Sequence, residues 1–178
     1  MYTILLCTIF AALPGCGGQP SNTALLEKGN YAMWQGRWSD AASSFDEAVS
    51  QHPGDWEAQY HLGQCYMEMG EPVKASQSLA VATSLRPLNG RISDLYAASL
   101  LQSGQEDQLF TYLHNRARKL QTSAAWTTFA EFAILLDDPD TATNAIDTAI
   151  ALSDGTEILP YIVAATYAEQ LGDDTLAI

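Results

Sequence analysis

The chain has 178 residues, 47% of them hydrophobic, so it can bury a core of ordinary domain size. Eight Lys and Arg against 21 Asp and Glu leave a formal net charge of −13. That balance argues against nucleic acid, whose phosphates demand cations, and against an electrostatic hold on anionic lipid.

Residues 1–22 carry no charged side chain, and Ile4 to Leu13 form an apolar run of signal-peptide length. It is far short of the ~20 residues that a membrane-spanning helix needs. The run ends in Leu13-Pro14-Gly15-Cys16-Gly17-Gly18. This resembles the lipobox of bacterial lipoproteins, with Leu at −3, a small residue at −1 and the Cys that is diacylated to become the mature N-terminus. The resemblance implies a signal peptide over 1–15, a lipidated Cys16 and a tether over 16–22. Gly17, where an acidic residue would retain such a protein in the inner membrane, favours the periplasmic face of the outer membrane. Pro14 at −2, and the lack of Lys or Arg before the apolar run, keep a plain secretory signal as the alternative. A soluble secreted or periplasmic protein would follow from it.

From Asn22 onward Ala and Leu recur at helical spacing, and alternating β-branched runs are few, so the expected class is all-α. Gly29, Gly36 and Pro53 each stand 34 residues before Gly63, Gly70 and Pro87. Counted from Trp56, Leu62-Gly63 fall at positions 7 and 8, Tyr66 at 11, Gly70 at 15, Ala75 at 20, Leu79 at 24, Ala82 at 27 and Pro87 at 32. Small residues at 8, 20 and 27 let two antiparallel helices approach closely, Gly70 can end the first helix and Pro87 stops the second. The segment from Gly90 keeps Ala97 and Gly104 in register but has Leu109 and Leu113 where the preceding one has Ala75 and Leu79. With that segment one residue short, Ser123 starts a further copy, with Phe129-Ala130, Ala142 and Ala149 in place and a turn at Asp137-Asp138-Pro139-Asp140. A fifth begins near Ile158, with Tyr161, Ala165, Gly172 and Ala177 at 4, 8, 15 and 20.

The pattern resembles the tetratricopeptide repeat, a 34-residue helix–turn–helix unit. It implies a right-handed superhelical solenoid over 23–178, with repeats near 22–55, 56–89, 90–122, 123–157 and a partial one over 158–178. The bacterial envelope lipoproteins that carry such repeats are its expected type. In this family the first helices line a concave surface that holds a peptide or protein segment. Carried over by repeat position, that surface comprises Asn30, Met33 and Trp34, then Glu57, Tyr60, Gln64, Met67 and Glu68, then Arg91, Asp94 and Gln102, and finally Thr127 and Glu131. One sub-class grips a C-terminal carboxylate with Lys, Asn and Arg. Asn30 and Arg91 match, but Leu26 and Leu95 replace the other cations, so that clamp is not expected.

No phosphate loop, nucleophile elbow or paired-His metal motif is present. His52, His61 and His114 are too scattered for a metal site and read as surface or interhelical packing. Cys65 reads as a buried, inert thiol. Arg116, Arg118 and Lys119 form the one dense basic cluster; the dipole of a helix C-terminus suffices to account for it, with a phosphate or acidic-ligand site as the alternative. The expectation is therefore a scaffold without enzymatic activity, metal or cofactor, lipid-anchored in the cell envelope and assisting assembly of a multiprotein complex. The alternatives are a soluble form that self-associates as a homodimer through the last repeat, and the N-terminal fragment of a longer protein.

Overall fold

A computed structural model describes residues 22–155 and 157–172. The segment proposed as leader and lipidation site, Cys16 included, and the segment Asp173 to Ile178 lie outside the described residues. Nine helices and no strand occur among the described residues: α1 (Asn22–Trp34), α2 (Trp38–Gln51), α3 (Trp56–Glu68), α4 (Pro72–Leu85), α5 (Gly90–Gln102), α6 (Glu106–Leu120), α7 (Ser123–Leu135), α8 (Pro139–Leu152) and α9 (Leu159–Leu171). Each packs chiefly on its neighbours in sequence, which makes the molecule an all-α solenoid of helix pairs.

Local chemistry sets the helix ends. Asp55 caps α3 by accepting from the Glu57 and Ala58 N–H groups, and Asn89, Thr122 and Asp138 cap α5, α7 and α8 in the same way. Pro72 and Pro139 occupy the first turns of α4 and α8, where a missing N–H costs nothing. Gly70 ends the α3 turn at φ +71°, while Asp137 takes the equivalent left-handed position after α7 at φ 57°. Asp is one of the few L-residues that tolerates that region, because its short side chain bonds locally.

The first two pairs close on glycine. A methyl placed on Gly63 would come within 2.5 Å of Leu79 Cγ, and one on Gly29 within 2.6 Å of the Phe45 ring. Leu79 and Phe45 thus pack directly onto bare backbone, and Ala41, Ala48, Ala75 and Ala82 are fully buried beside them. Pair α5/α6 is built differently. Leu109 and Leu113 fill the places of Ala75 and Leu79, and these two helices lie less closely packed than those of the pairs on either side. Tyr112 occupies the resulting space edge-on to Tyr96, with ring centroids 4.8 Å apart.

Candidate functional site

Helix α5 touches α3, and α9 touches α7, so within each of these two couples the first helices lie side by side in one layer of the solenoid. The face of that layer is where a groove must lie. Its best-formed part is centred on Trp56, at the start of α3. There Trp56, Glu57, Tyr60 and His61 face Asn89, Arg91 and Ile92 from the start of α5, around a cavity of about 210 Å³. A second cavity of about 540 Å³ adjoins it, walled by Trp56, Asn89 and the α4–α5 connection from Leu85 to Leu88. The Arg86 guanidinium stacks 5.2 Å above the Trp56 ring and fixes that wall.

His61 organises this floor. Its ring stacks on Phe45 of α2 at 5.2 Å and lies tilted against Tyr60 at the same distance. His61 Nδ1 sits 2.8 Å from Gln64 Oε1, to which it donates, and Nε2 lies 3.9 Å from a Glu57 oxygen. Packing thus explains His61, as it does His114, which stacks on Phe129 at 5.0 Å. Towards the N-terminal end Tyr31 and Trp34 form an exposed stacked pair with ring centroids 6.0 Å apart, and Trp34 is 81% exposed.

Of the residues expected on the concave face, Glu57, Tyr60 and Arg91 come together in the Trp56 cavity. Asn30, Trp34, Glu68, Arg91, Asp94, Gln102 and Glu131 are exposed, and Met33, Gln64 and Met67 are half-buried. Thr127 is a correction. It is 1% exposed and its hydroxyl donates to the Ser123 carbonyl at 2.9 Å, so it meets no partner. Tyr60 stands at the same repeat position and is only 9% exposed, since this position points towards the next first helix. Trp56, His61 and Asn89 join the surface without having been expected there, whereas Tyr31 lies beside Arg37, Asp40 and Glu47 on the α1/α2 flank.

Leu26 and Leu95 are packed into the core, so no cation from those positions can complete a carboxylate clamp. No group of three or more His, Cys, Asp and Glu capable of holding a metal occurs among the described residues. Nor is any helix among them long and apolar enough to cross a membrane. Cys65 is fully buried, and burial pushes its thiol up to about 11, which leaves it a poor nucleophile at neutral pH.

Residues 32–108 match the profile of the tetratricopeptide repeat. That match makes residues 32–108 tetratricopeptide repeats, and the helix pairs on either side continue the same helix–turn–helix architecture. Among solved structures it is similar to MamA from Desulfovibrio magneticus RS-1, at 17% identity and a TM-score of 0.65, covering 88% of this chain and 88% of that one. It is also similar to YrrB, described as a TPR protein with an unusual peptide-binding site, at 15% identity and a TM-score of 0.60, covering 87% and 80%. PilF of Pseudomonas aeruginosa gives 14% identity and a TM-score of 0.60, covering 88% and 71%. At these identities the likeness is one of fold. No curated protein sequence matches the chain.

Proposed function

We propose that the protein is a scaffold without catalysis of its own, whose first-helix layer receives a peptide or protein segment. The Trp56 cavity carries this reading, because it combines aromatic walls with an acid and a base at one concave point. The wider surface adds Glu68, Asp94 and Glu131 to Glu57, against the two cations Arg86 and Arg91, so the segment it suits is neutral to basic with an apolar anchor. YrrB supports the reading only as a protein of this fold with a peptide site. A peptide library displayed against the full chain tests it. Selected peptides should lose binding to Trp56→Ala and weaken with Arg91→Glu, and stay unaffected by Gln77→Ala on α4. Selected peptides indifferent to Trp56→Ala would move the site elsewhere.

We further propose that the chain is held at the periplasmic face of an outer membrane through a lipidated Cys16, and there assists assembly of a multiprotein complex. The support is the Leu13-Pro14-Gly15-Cys16 sequence. A diacylglyceryl group supplies the two chains that stable anchoring takes. Intact mass should show an acylated Cys16 N-terminus in the membrane fraction, released by Cys16→Ser. An unmodified N-terminus after leader removal would leave a soluble secreted protein. Self-association is a second reading, favoured by the exposure of Ile158, Leu159, Tyr161 and Ile162 at α9. Light scattering on the Cys16→Ser form should then show concentration-dependent dimers, weakened by Tyr161→Glu. A strict monomer would remove that reading.

A further inference from the structure

Counted from Gly90, the repeat position filled by the buried alanines Ala48, Ala82 and Ala149 elsewhere belongs to Arg116. Burial passes to its neighbour Ala117, which is 0% exposed, and Arg116 turns to the flank of α6. There it lines a cavity of about 280 Å³ between the C-terminal ends of α4 and α6, with Thr83, Pro87, Tyr112, Asn115, Lys119 and Leu120. Both are second helices, and the cavity shares only Pro87 with the walls of the two groove cavities.

Two cations enter this space and no carboxylate lines it. Arg37 and Lys74 have carboxylate partners in Asp40 and Glu71, but Arg116 and Lys119 have none among the described residues. The Arg116 Nε atom is buried and has no hydrogen-bond partner among the described residues. A buried donor left in that state is costly, and a bound acceptor removes the cost. The helix dipole does not account for it, because Arg118 and Lys119 occupy the last turn of α6 and Arg116 lies before it. The Thr83 and Ser93 hydroxyls stand beside the Tyr112 phenol, yet none of the three oxygens reaches good hydrogen-bond geometry. Burial raises the Tyr112 pKa, so the phenol keeps its proton and remains a donor. The cavity thus offers a guanidinium, an ammonium, a phenol and the Asn115 amide, with Pro87 and Leu120 as an apolar wall.

We propose that this cavity binds a small phosphate monoester. Two cations at i and i+3 match a dianion, and the guanidinium fork matches phosphate oxygens. The volume falls just below the usual range for drug-sized ligands, and the apolar wall suits a small organic body. The test titrates phenyl phosphate, inorganic phosphate and benzoate into the full chain by calorimetry at matched ionic strength. Phenyl phosphate should bind saturably, more tightly than either of the others. Arg116→Gln should weaken it at least about tenfold, as the loss of a charged hydrogen bond does. Lys119→Gln should weaken it less, and Arg118→Gln, which removes the same charge outside the cavity, should leave it unchanged. Thermal melts establish that each variant is folded, and should Arg116→Gln fail to fold, Lys119→Gln against Arg118→Gln decides. Absence of saturable binding, an equal loss in Arg118→Gln, or benzoate or inorganic phosphate binding as tightly as phenyl phosphate would each overturn the proposal.

Discussion

Pairs α3/α4 and α5/α6 share a repeat register and differ in how they close. In α3/α4 the contact is backbone against side chain: Gly63 receives Leu79, with Ala75 and Ala82 buried beside it. In α5/α6 the corresponding residues are Ala97, Leu113, Leu109 and Arg116, and the helices stand further apart. Hydroxyls and a guanidinium gather along the widened pair. Volume at two positions thus decides whether a repeat is a sealed unit or one with a cavity in its flank.

The largest effects should come from the leucines of the two pairs. Leu79→Ala should cost ~2–5 kcal/mol in urea unfolding, because rigid, close neighbours cannot collapse into the hole. Leu113→Ala should fall at the low end of that range, since the looser pair can close up. Gly63→Ala should itself cost ~1–3 kcal/mol through the clash with Leu79. Equal losses for Leu79→Ala and Leu113→Ala would break the distinction between sealed and open pairs.

A pH series sharpens it from another side. Cys65 lies within the sealed half, and burial raises its thiol from 9.0 to about 11. An acid whose folded pKa is raised holds more protons folded than unfolded, so its stabilising contribution is complete below pH 9.0 and is lost between 9.0 and about 11. Burial also raises Tyr66, Tyr96 and Tyr112, which extends the decline to higher pH. Cys65→Ala should flatten the melting-temperature profile over the first window. An unchanged slope would mean the thiol ionises in the folded protein.

The smallest effect concerns the turns. Asp137→Gly should stabilise by up to ~1 kcal/mol by relieving a left-handed L-residue, and Gly70→Ala should destabilise by ~1–2 kcal/mol. Thermal melts of the two variants moving in the same direction would sink that account.

The solenoid is legible in the sequence because its determinants are local and periodic. Gly63, Ala75, Ala82 and Gly70 are each required by a contact or a dihedral that the first repeat shares through Gly29, Ala41, Ala48 and Gly36. The surface is less legible, since a repeat position gives a direction and not an exposure. Thr127 and Tyr60 share a position that the neighbouring first helix covers, whereas Asp94, at the same position, is exposed. Trp56 and His61 come to the groove from outside the expected positions because the α4–α5 connection and Phe45 hold them there. Arg116 illustrates the same limit. Sequence shows a basic cluster, but only the packing of α6 against α4 reveals that two of its members, Arg116 and Lys119, line a cavity while Arg118 does not.

Tyr96 has a mechanical consequence. The core is divided into three small clusters over the first five helices and a large one that runs from Leu100 to Val163. Tyr96 packs against the last of the small clusters and against the large one. In a stack whose units touch only their neighbours, tension applied at the two ends passes through every junction in series. The junction at Tyr96 is then the fuse. Pulled or warmed, the chain should part there into two blocks, with amide protons of α5 and α6 exchanging before those of α3 and α7.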